Sequence, residues 1–283
     1  MFSAVKAETL KLSRHPATLF LVWIYPIFAA LAVGTPIVAA LVSGAHPPSP
    51  AIDARQWAHQ TAMMLEAPYS AFGRILVAGF VAVVFAGEYG WNTWKLIIPA
   101  RSRTQLVATK WLVVVGLLLT ALIAADLIVL AGTMSRAALI GPGLPSGLSA
   151  GLVLGVHLKV AAGIWAPLLS TLAFASLAAV FTRSILPTVL LAIGAVLIEP
   201  LLGFIALAAS PYAPSLVGWV IKATPFYNTA NLEAAAKGGG STLMLAHGER
   251  LSLDPHASAA VLGVWMLLAA AATLMRFERD DLN

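Results

Sequence analysis

The chain has no cysteine, and only 10% of its 283 residues are charged. Without cysteine there can be no disulfide, no cysteine-ligated zinc and no iron–sulfur cluster. Soluble domains carry about 25% charged residues. The low charge, with 60% hydrophobic residues and a mean hydropathy of +0.89, therefore excludes a soluble domain with one anchor and predicts an integral membrane protein with several spans.

Motifs of a self-contained active site are also missing. The pattern GxxxxGK[ST] does not occur, because the glycine run before Ser241 and Thr242 lacks the lysine, so the chain cannot bind ATP through a P-loop. HExxH, GxSxG and closely spaced carboxylate pairs are absent, and no histidine lies four residues from another. We therefore expect no catalytic residue, no metal site and no cofactor in this chain. Basic residues form no extended face, so we expect no nucleic-acid binding.

What the sequence does have is long apolar runs, each near the roughly 20 residues that a membrane helix needs. We predict an all-α membrane protein with six transmembrane helices in one domain over residues 1–283. No internal repeat supports an inverted-repeat transporter. The predicted spans are 17–43, 71–87, 111–134, 152–181, 185–209 and 258–275.

The connections between these spans predict the orientation. Basic residues collect near span ends on the cytoplasmic side, and compact basic groups occur in 1–16, 88–110 and 276–279. We therefore predict that both termini are cytoplasmic and that 88–110 is a cytoplasmic loop. The long segment 210–257 is then extracytoplasmic, with short helices expected at 215–223 and 229–237.

Residues 1–16 resemble a short amphipathic helix lying at the membrane surface. Phe2, Val5, Thr9 and Leu12 fall on one stripe, and the basic residues lie away from it. The alternative is a charged flank that only orients the first span. The candidate site residues of this interfacial helix are Glu8, Lys11 and Arg14.

The loop 88–110 is the densest polar and basic cluster in the chain. It reads E-x5-W-K-L-x2-P-x-R-x-R-x6-K from Glu88 to Lys110 and carries apolar and aromatic residues that a solvated loop would not need. A short helix here, ended by Pro99, could insert an aromatic anchor into a groove on a soluble partner, since such anchors carry most interface energy. The alternative is that the aromatics lie among lipid headgroups and the charges only orient the spans.

These motifs resemble the permease subunits of the ABC-2 family of ABC transporters. The opening at Ala7–Arg14, A-E-x2-K-L-x-R, is similar to that of the family. So are the turn Thr224-Pro225-Phe226-Tyr227-Asn228 and the ending Phe277-x-Arg279-Asp280-Asp281-Leu282. Asn92-Thr93 replaces the commoner Gly-Thr of the family.

The resemblance implies that residues 88–110 contain a coupling helix that seats in a separate ABC ATPase. That partner would bind ATP and Mg, and the permease would form a homodimer or pair with a homologous permease in the bacterial cytoplasmic (inner) membrane. The residues that the resemblance assigns to ATPase coupling are Glu88, Trp91, Trp94, Lys95, Pro99, Arg101, Arg103 and Lys110.

Charged and polar residues within the spans form a second candidate site. Asp126 follows Lys110, and Glu199 follows Arg183, by about 24 Å along a helix. His157 and Lys159 enter the fourth span from the other side. Charge at such depth is costly and faces a partner or a cavity. These residues therefore line a substrate path, or Lys159 pairs with Asp126 or Glu199 to join helices.

The sequence thus predicts an ATP-driven exporter subunit for an amphipathic or hydrophobic substrate, such as a peptide antibiotic, a drug or a lipid-linked molecule. One alternative is a proton-coupled secondary transporter or channel that uses Asp126 and Glu199. Transport that does not depend on a co-expressed ATPase would identify this alternative. A second is an intramembrane enzyme, which would need a histidine or carboxylate cluster that the sequence does not show.

Overall fold

The computed structural model describes residues 1–44, 52–90, 93–94, 102–141, 143–237, 239–240, 242–245, 248 and 250–279, and only the backbone of 199 and 200. The helices in chain order are α1 (Phe2–Ser13), α2 (Pro16–Leu21), α3 (Ile24–Ser43), α4 (Ala54–Thr61), α5 (Ala71–Gly90), α6 (Arg103–Leu139), α7 (Ala150–Gly163), α8 (Trp165–Thr182), α9 (Ile185–Ala209), α10 (Pro214–Ala223), α11 (Pro225–Ala236) and α12 (Pro255–Glu278). A short 3₁₀ turn covers Ala67–Tyr69, and β1 (Leu243–Met244) pairs antiparallel with β2 (Arg250–Leu251).

The predicted fold class is confirmed, since six helical segments in the described residues are long and apolar enough to cross a membrane. They are α3, α5, α6, α7 with α8, α9 and α12. Each of the six overlaps one of the predicted spans. The ends differ by several residues, because a hydropathy pattern marks the apolar part of a helix and not its hydrogen-bonded ends.

Local sequence signals explain most of those ends. Ser102 caps α6 by accepting a hydrogen bond from the Gln105 amide, and Ser149 caps α7 in the same way. Proline occupies the first turn of α2, α10, α11 and α12, where its missing N–H costs nothing. The two predicted short helices before the last span correspond to α10 and α11.

The first predicted span, 17–43, is divided in the structure at Val22–Trp23. Lys11 binds Glu88 in the last turn of α5. The Tyr25 hydroxyl donates to the carbonyl of Gly73, which lies in the first turn of α5. Residues 11–25 therefore run antiparallel along α5. The end of α1 is consequently built into the helix bundle, with Leu12 buried.

The stripe predicted for α1 is also rotated. Of the four stripe residues, Val5 and Leu12 pack against the bundle, whereas Phe2 and Thr9 are exposed. Glu8 takes the inward position instead, because its carboxylate binds the buried ammonium of Lys110. A hydrophobic pattern alone could not show this.

Helix α5 is the centre of the bundle. In its most apolar stretch 72% of residues are buried, against 6% in α9. It packs against α8 and α9, while α12 packs against α8 and α11, and α3 packs along α6.

Helix α6 has 37 residues and is about 55 Å long, which exceeds the roughly 30 Å of bilayer hydrocarbon. At the far end of the bundle from Glu88, α4 packs on α7, and α10, α11 and the β-hairpin form a second small core.

Candidate functional site

Four charged side chains meet where α1, α5 and α6 come together. The Lys110 ammonium lies 2.6 Å from Glu88 Oε1 and 2.8 Å from Glu8 Oε1. Lys11 lies 2.5 Å from the same Glu88 oxygen and 2.8 Å from Glu8. We call these four residues the ion cluster and this end of the bundle the charged end. The cluster has no net charge, which makes its burial tolerable.

Lys110 is the centre of the ion cluster. Its side chain is 2% exposed, and its third N–H donates to the Val84 carbonyl at 3.1 Å. A lysine ammonium has three donors, so all three are used. A fully hydrogen-bonded buried charge of this kind fixes the positions of the helices that surround it.

Lys11 forms the exposed side of the cluster. Burial acts to lower the pKa of this lysine, but the adjacent carboxylates of Glu8 and Glu88 outweigh burial, and the pKa is raised. Lys11 therefore stays charged at physiological pH and holds α1 against the end of α5.

The structure places Trp94 beside this cluster. Its indole is 1% exposed and lies 4.5 Å from the Phe277 ring and 5.8 Å from the Tyr89 ring, measured between centroids. The Lys110 ammonium lies 5.1 Å from the indole centroid, within the range of a cation–π contact. Trp94 is therefore a core residue of this chain, and the expectation that its side chain projects into a partner's groove is corrected.

Arg103 joins the start of α6 to the end of α12. Its guanidinium donates to the carbonyls of Phe277 and Glu278 at 2.5 and 2.8 Å. Carbonyls in the last turn of a helix lack partners within the helix, so Arg103 completes their hydrogen bonding. The loop between α5 and α6 is consequently bracketed by contacts to α1 on one side and to α12 on the other.

The other residues predicted for this site include some that the structure describes and some that it does not. Arg14 is exposed just beyond α1. Trp91, Lys95, Pro99 and Arg101 lie outside the described residues, as does most of the predicted coupling helix. Glu88 belongs to α5, and Arg103 and Lys110 belong to α6.

The second candidate site is an Asp–His–Thr chain that joins α6, α7 and α4. Asp126 Oδ2 lies 2.8 Å from His157 Nδ1, and His157 Nε2 lies 3.1 Å from Thr61 Oγ1. The Thr61 hydroxyl also lies within hydrogen-bonding distance of the Ala58 carbonyl. Thr61 was missing from the sequence prediction, because its hydroxyl gives no signal of a distant partner.

Lys159 does not join this chain. Lys159 is exposed two residues beyond His157, so the expected pair of Lys159 with Asp126 is wrong, and His157 is the partner. The side chain of Glu199 lies outside the described residues. Within those residues, no group of three histidine, aspartate or glutamate side chains could hold a metal ion.

Residues 4–197 match the sequence model of a protein family whose description is "ABC-2 family transporter protein". The match covers more than half of the 283 residues and includes the whole ion cluster, Trp94 and the Asp–His–Thr chain. A search of curated proteins finds no match.

Proposed function

The chain belongs to the ABC-2 transporter family, and from this premise we propose that it is the membrane subunit of an ATP-driven exporter. It is a multi-pass membrane protein, and members of this family are transport subunits that act with an ABC ATPase. In the proposed complex, two separate ATPase chains bind ATP and Mg, and the permease forms a dimer in the bacterial inner membrane. The substrate is amphipathic or hydrophobic.

The ion cluster is the observation that supports this proposal best. A soluble ATPase can drive export only if its movement at the loop 88–110 reaches the membrane helices. Within 88–110, Glu88 lies in the last turn of α5 and Arg103 in the first turn of α6, and their contacts extend to α1, α6 and α12. A displacement of the loop would therefore be transmitted to four helices through hydrogen-bonded charges instead of being absorbed locally.

The burial of Trp94 changes which residues are proposed to touch the ATPase. Truncating a buried tryptophan costs about 3–5 kcal/mol of folding stability, so this residue supports the loop from inside. We assign the contact with the partner to the basic residues of the loop, Lys95 and Arg101. In the proposed complex both pair with acidic residues of the ATPase, since opposite charges across an interface favour the correct docking orientation.

Transport by reconstituted permease and ATPase tests the proposal. Lys95→Glu combined with Arg101→Glu should reduce ATP-driven transport by about tenfold or more, since each reversal replaces attraction by repulsion. The control is Arg55→Glu with Arg250→Glu, two exposed arginines at the opposite end, which should transport at the normal rate. An ATPase without its P-loop lysine should support no transport.

The Asp–His–Thr chain is the observation that favours the alternative, a proton-coupled transporter or channel. Asp126 and His157 are in hydrogen-bond contact in a buried position, and a proton-coupled carrier would require titratable groups at such a place. Transport that continues with the inactive ATPase and follows a proton gradient would establish this alternative and reject the ABC exporter.

A further inference from the structure

A cavity of about 430 Å³ lies at the end of the bundle opposite the ion cluster. The start of α3, the segment after α4, the start of α5 and Glu233 of α11 line it, and it is open on one side. Its size falls within the roughly 300–1,000 Å³ of small-molecule sites. The wall is mostly apolar and aromatic; its lining includes Ile24, Phe28, Met63, Met64, Phe72 and Leu76.

The only ionised side chains in the cavity's described lining are the carboxylates of Glu66 and Glu233. The two tyrosines there have engaged hydroxyls, since Tyr25 donates to the Gly73 carbonyl and Tyr69 to the Gly163 carbonyl at 2.6 Å. They therefore present their rings. Burial raises the pKa of Tyr69, and the charges of Glu233 and Glu66 raise it further, which indicates a negative potential in this region.

The chain itself shows what these two carboxylates bind. The ammonium of Lys237 lies 2.8 Å from Glu233 and 3.2 Å from Glu66, and this side chain is 46% exposed. Lys237 follows the last residue of α11 and precedes three glycines in the sequence. A primary ammonium thus fits between the two carboxylates, and it is held from the solvent side by a residue at the end of a helix.

We propose that this cavity binds a cationic amphiphile, with its ammonium at Glu66 and Glu233 in place of Lys237 and its alkyl chain along the apolar wall. Carboxylates attract the cation, and aromatic faces within about 6 Å add to that attraction. An anionic amphiphile would meet two like charges. That this ligand is also the transported substrate rests on the proposed function, whereas binding does not.

Photolabelling of the purified full-length permease, without ATPase, tests the binding site. The probe is a dodecylammonium that carries a diazirine on its alkyl chain, in neutral maltoside detergent. Labelling should map to residues 24–28 and 63–76. Dodecyltrimethylammonium should compete with the probe, and dodecyl sulfate should not.

Two variants should move the affinity in opposite directions. Glu66→Gln with Glu233→Gln should weaken binding by about tenfold, as expected for the loss of two half-exposed ion pairs. Lys237→Gln should tighten binding, because it removes the competing ammonium. Asp254→Asn, which removes a carboxylate outside the cavity but retains a capping side chain for α12, should leave binding unchanged.

Labelling elsewhere, or affinities that are equal in all three variants, would overturn the site. Competition by phosphatidylethanolamine as strong as that by dodecyltrimethylammonium would show that a membrane lipid fills the cavity and would also overturn the proposal. Binding as predicted without ATP-driven movement of the probe would support the site but reject the substrate assignment.

Discussion

Lys110 is the residue on which the charged end depends most. Its ammonium balances the charges of Glu8 and Glu88 in a buried position where water does not solvate them. Without it, Glu8 and Glu88 would keep only the more exposed Lys11 as a shared partner, and the cluster would carry one uncompensated negative charge. Breaking a buried ion pair by removing one partner costs more than the intact pair contributes.

Lys110→Met should therefore destabilise the protein by about 3–5 kcal/mol, measured as a lower melting temperature in detergent. Lys159→Met is the matched control, because Lys159 is exposed and surface changes stay within about 0.5 kcal/mol. Equal melting temperatures for the two variants would show that the ion cluster does not stabilise the fold.

His157 should couple energetically to Asp126, and Lys159 should not. In a double-mutant cycle, Asp126→Asn with His157→Gln should show an interaction energy of about 0.5–3 kcal/mol. Asp126→Asn with Lys159→Gln should be additive. Thermal unfolding of the single and double variants measures both cycles. Coupling to Lys159 instead would contradict the geometry.

Single residues were predicted unevenly from the sequence. The motifs identified Glu8, Lys11, Glu88 and Lys110 as important, but not that the four meet. The two contacts that join α1 to α5 and to α6 span 77 and 102 residues and leave no local pattern. Trp94 was predicted to be a surface anchor. The sequence could not separate that role from a core position, because an aromatic residue in a polar loop is compatible with both. Only the position of Phe277 decides between them.

At the scale of elements, the pairing of α3 with α6 depends on one close approach. A Cβ at Gly132 of α6 would lie 2.4 Å from a methyl group of Val33 on α3, whereas a Cβ at Gly116 of the same helix would meet nothing within 4 Å. Small residues allow membrane helices to approach closely. The position of Gly132 therefore sets the distance between these two helices.

Gly132→Ala should loosen this pair and lower stability by about 1–3 kcal/mol, the usual cost of overpacking. Gly116→Ala should be neutral or stabilise by up to about 1 kcal/mol, because alanine favours helix and the space is open. Melting temperatures of the two variants provide the comparison. A larger loss at Gly116 would contradict the described packing.

Elements were predicted well where apolar content alone decides them. Each span contains an apolar run that no soluble fold would expose, so the number and order of the helices follow from hydropathy. The break between α2 and α3 and the extension of α6 to Arg103–Leu139 did not follow. The sequence beyond the apolar runs is compatible with both helix and loop, and tertiary contacts such as that of Lys110 with Glu88 decide the outcome.

At the scale of the whole molecule, α1 and the end of α12 lie at the same end of the bundle. Lys11 ties α1 to Glu88, and Arg103 ties α6 to the last turn of α12. Helix α5 ends beside the first of these contacts, and α6 begins at the second. A partner that binds the loop between α5 and α6 is thus placed to act on both ends of the chain at once, which is the central claim of the proposed coupling.

Site-specific cross-linking tests that claim most directly, because the chain has no cysteine and a single introduced thiol is unique. Gln105→Cys places it on the exposed face of the first turn of α6, and Tyr212→Cys places it on a residue that is 90% exposed at the opposite end. Each is labelled with benzophenone maleimide and irradiated with the ATPase present. A covalent adduct with the ATPase at position 105 and none at 212 is the predicted result. No adduct at 105, or equal adducts at both positions, would contradict the assignment of the charged end as the ATPase-binding face.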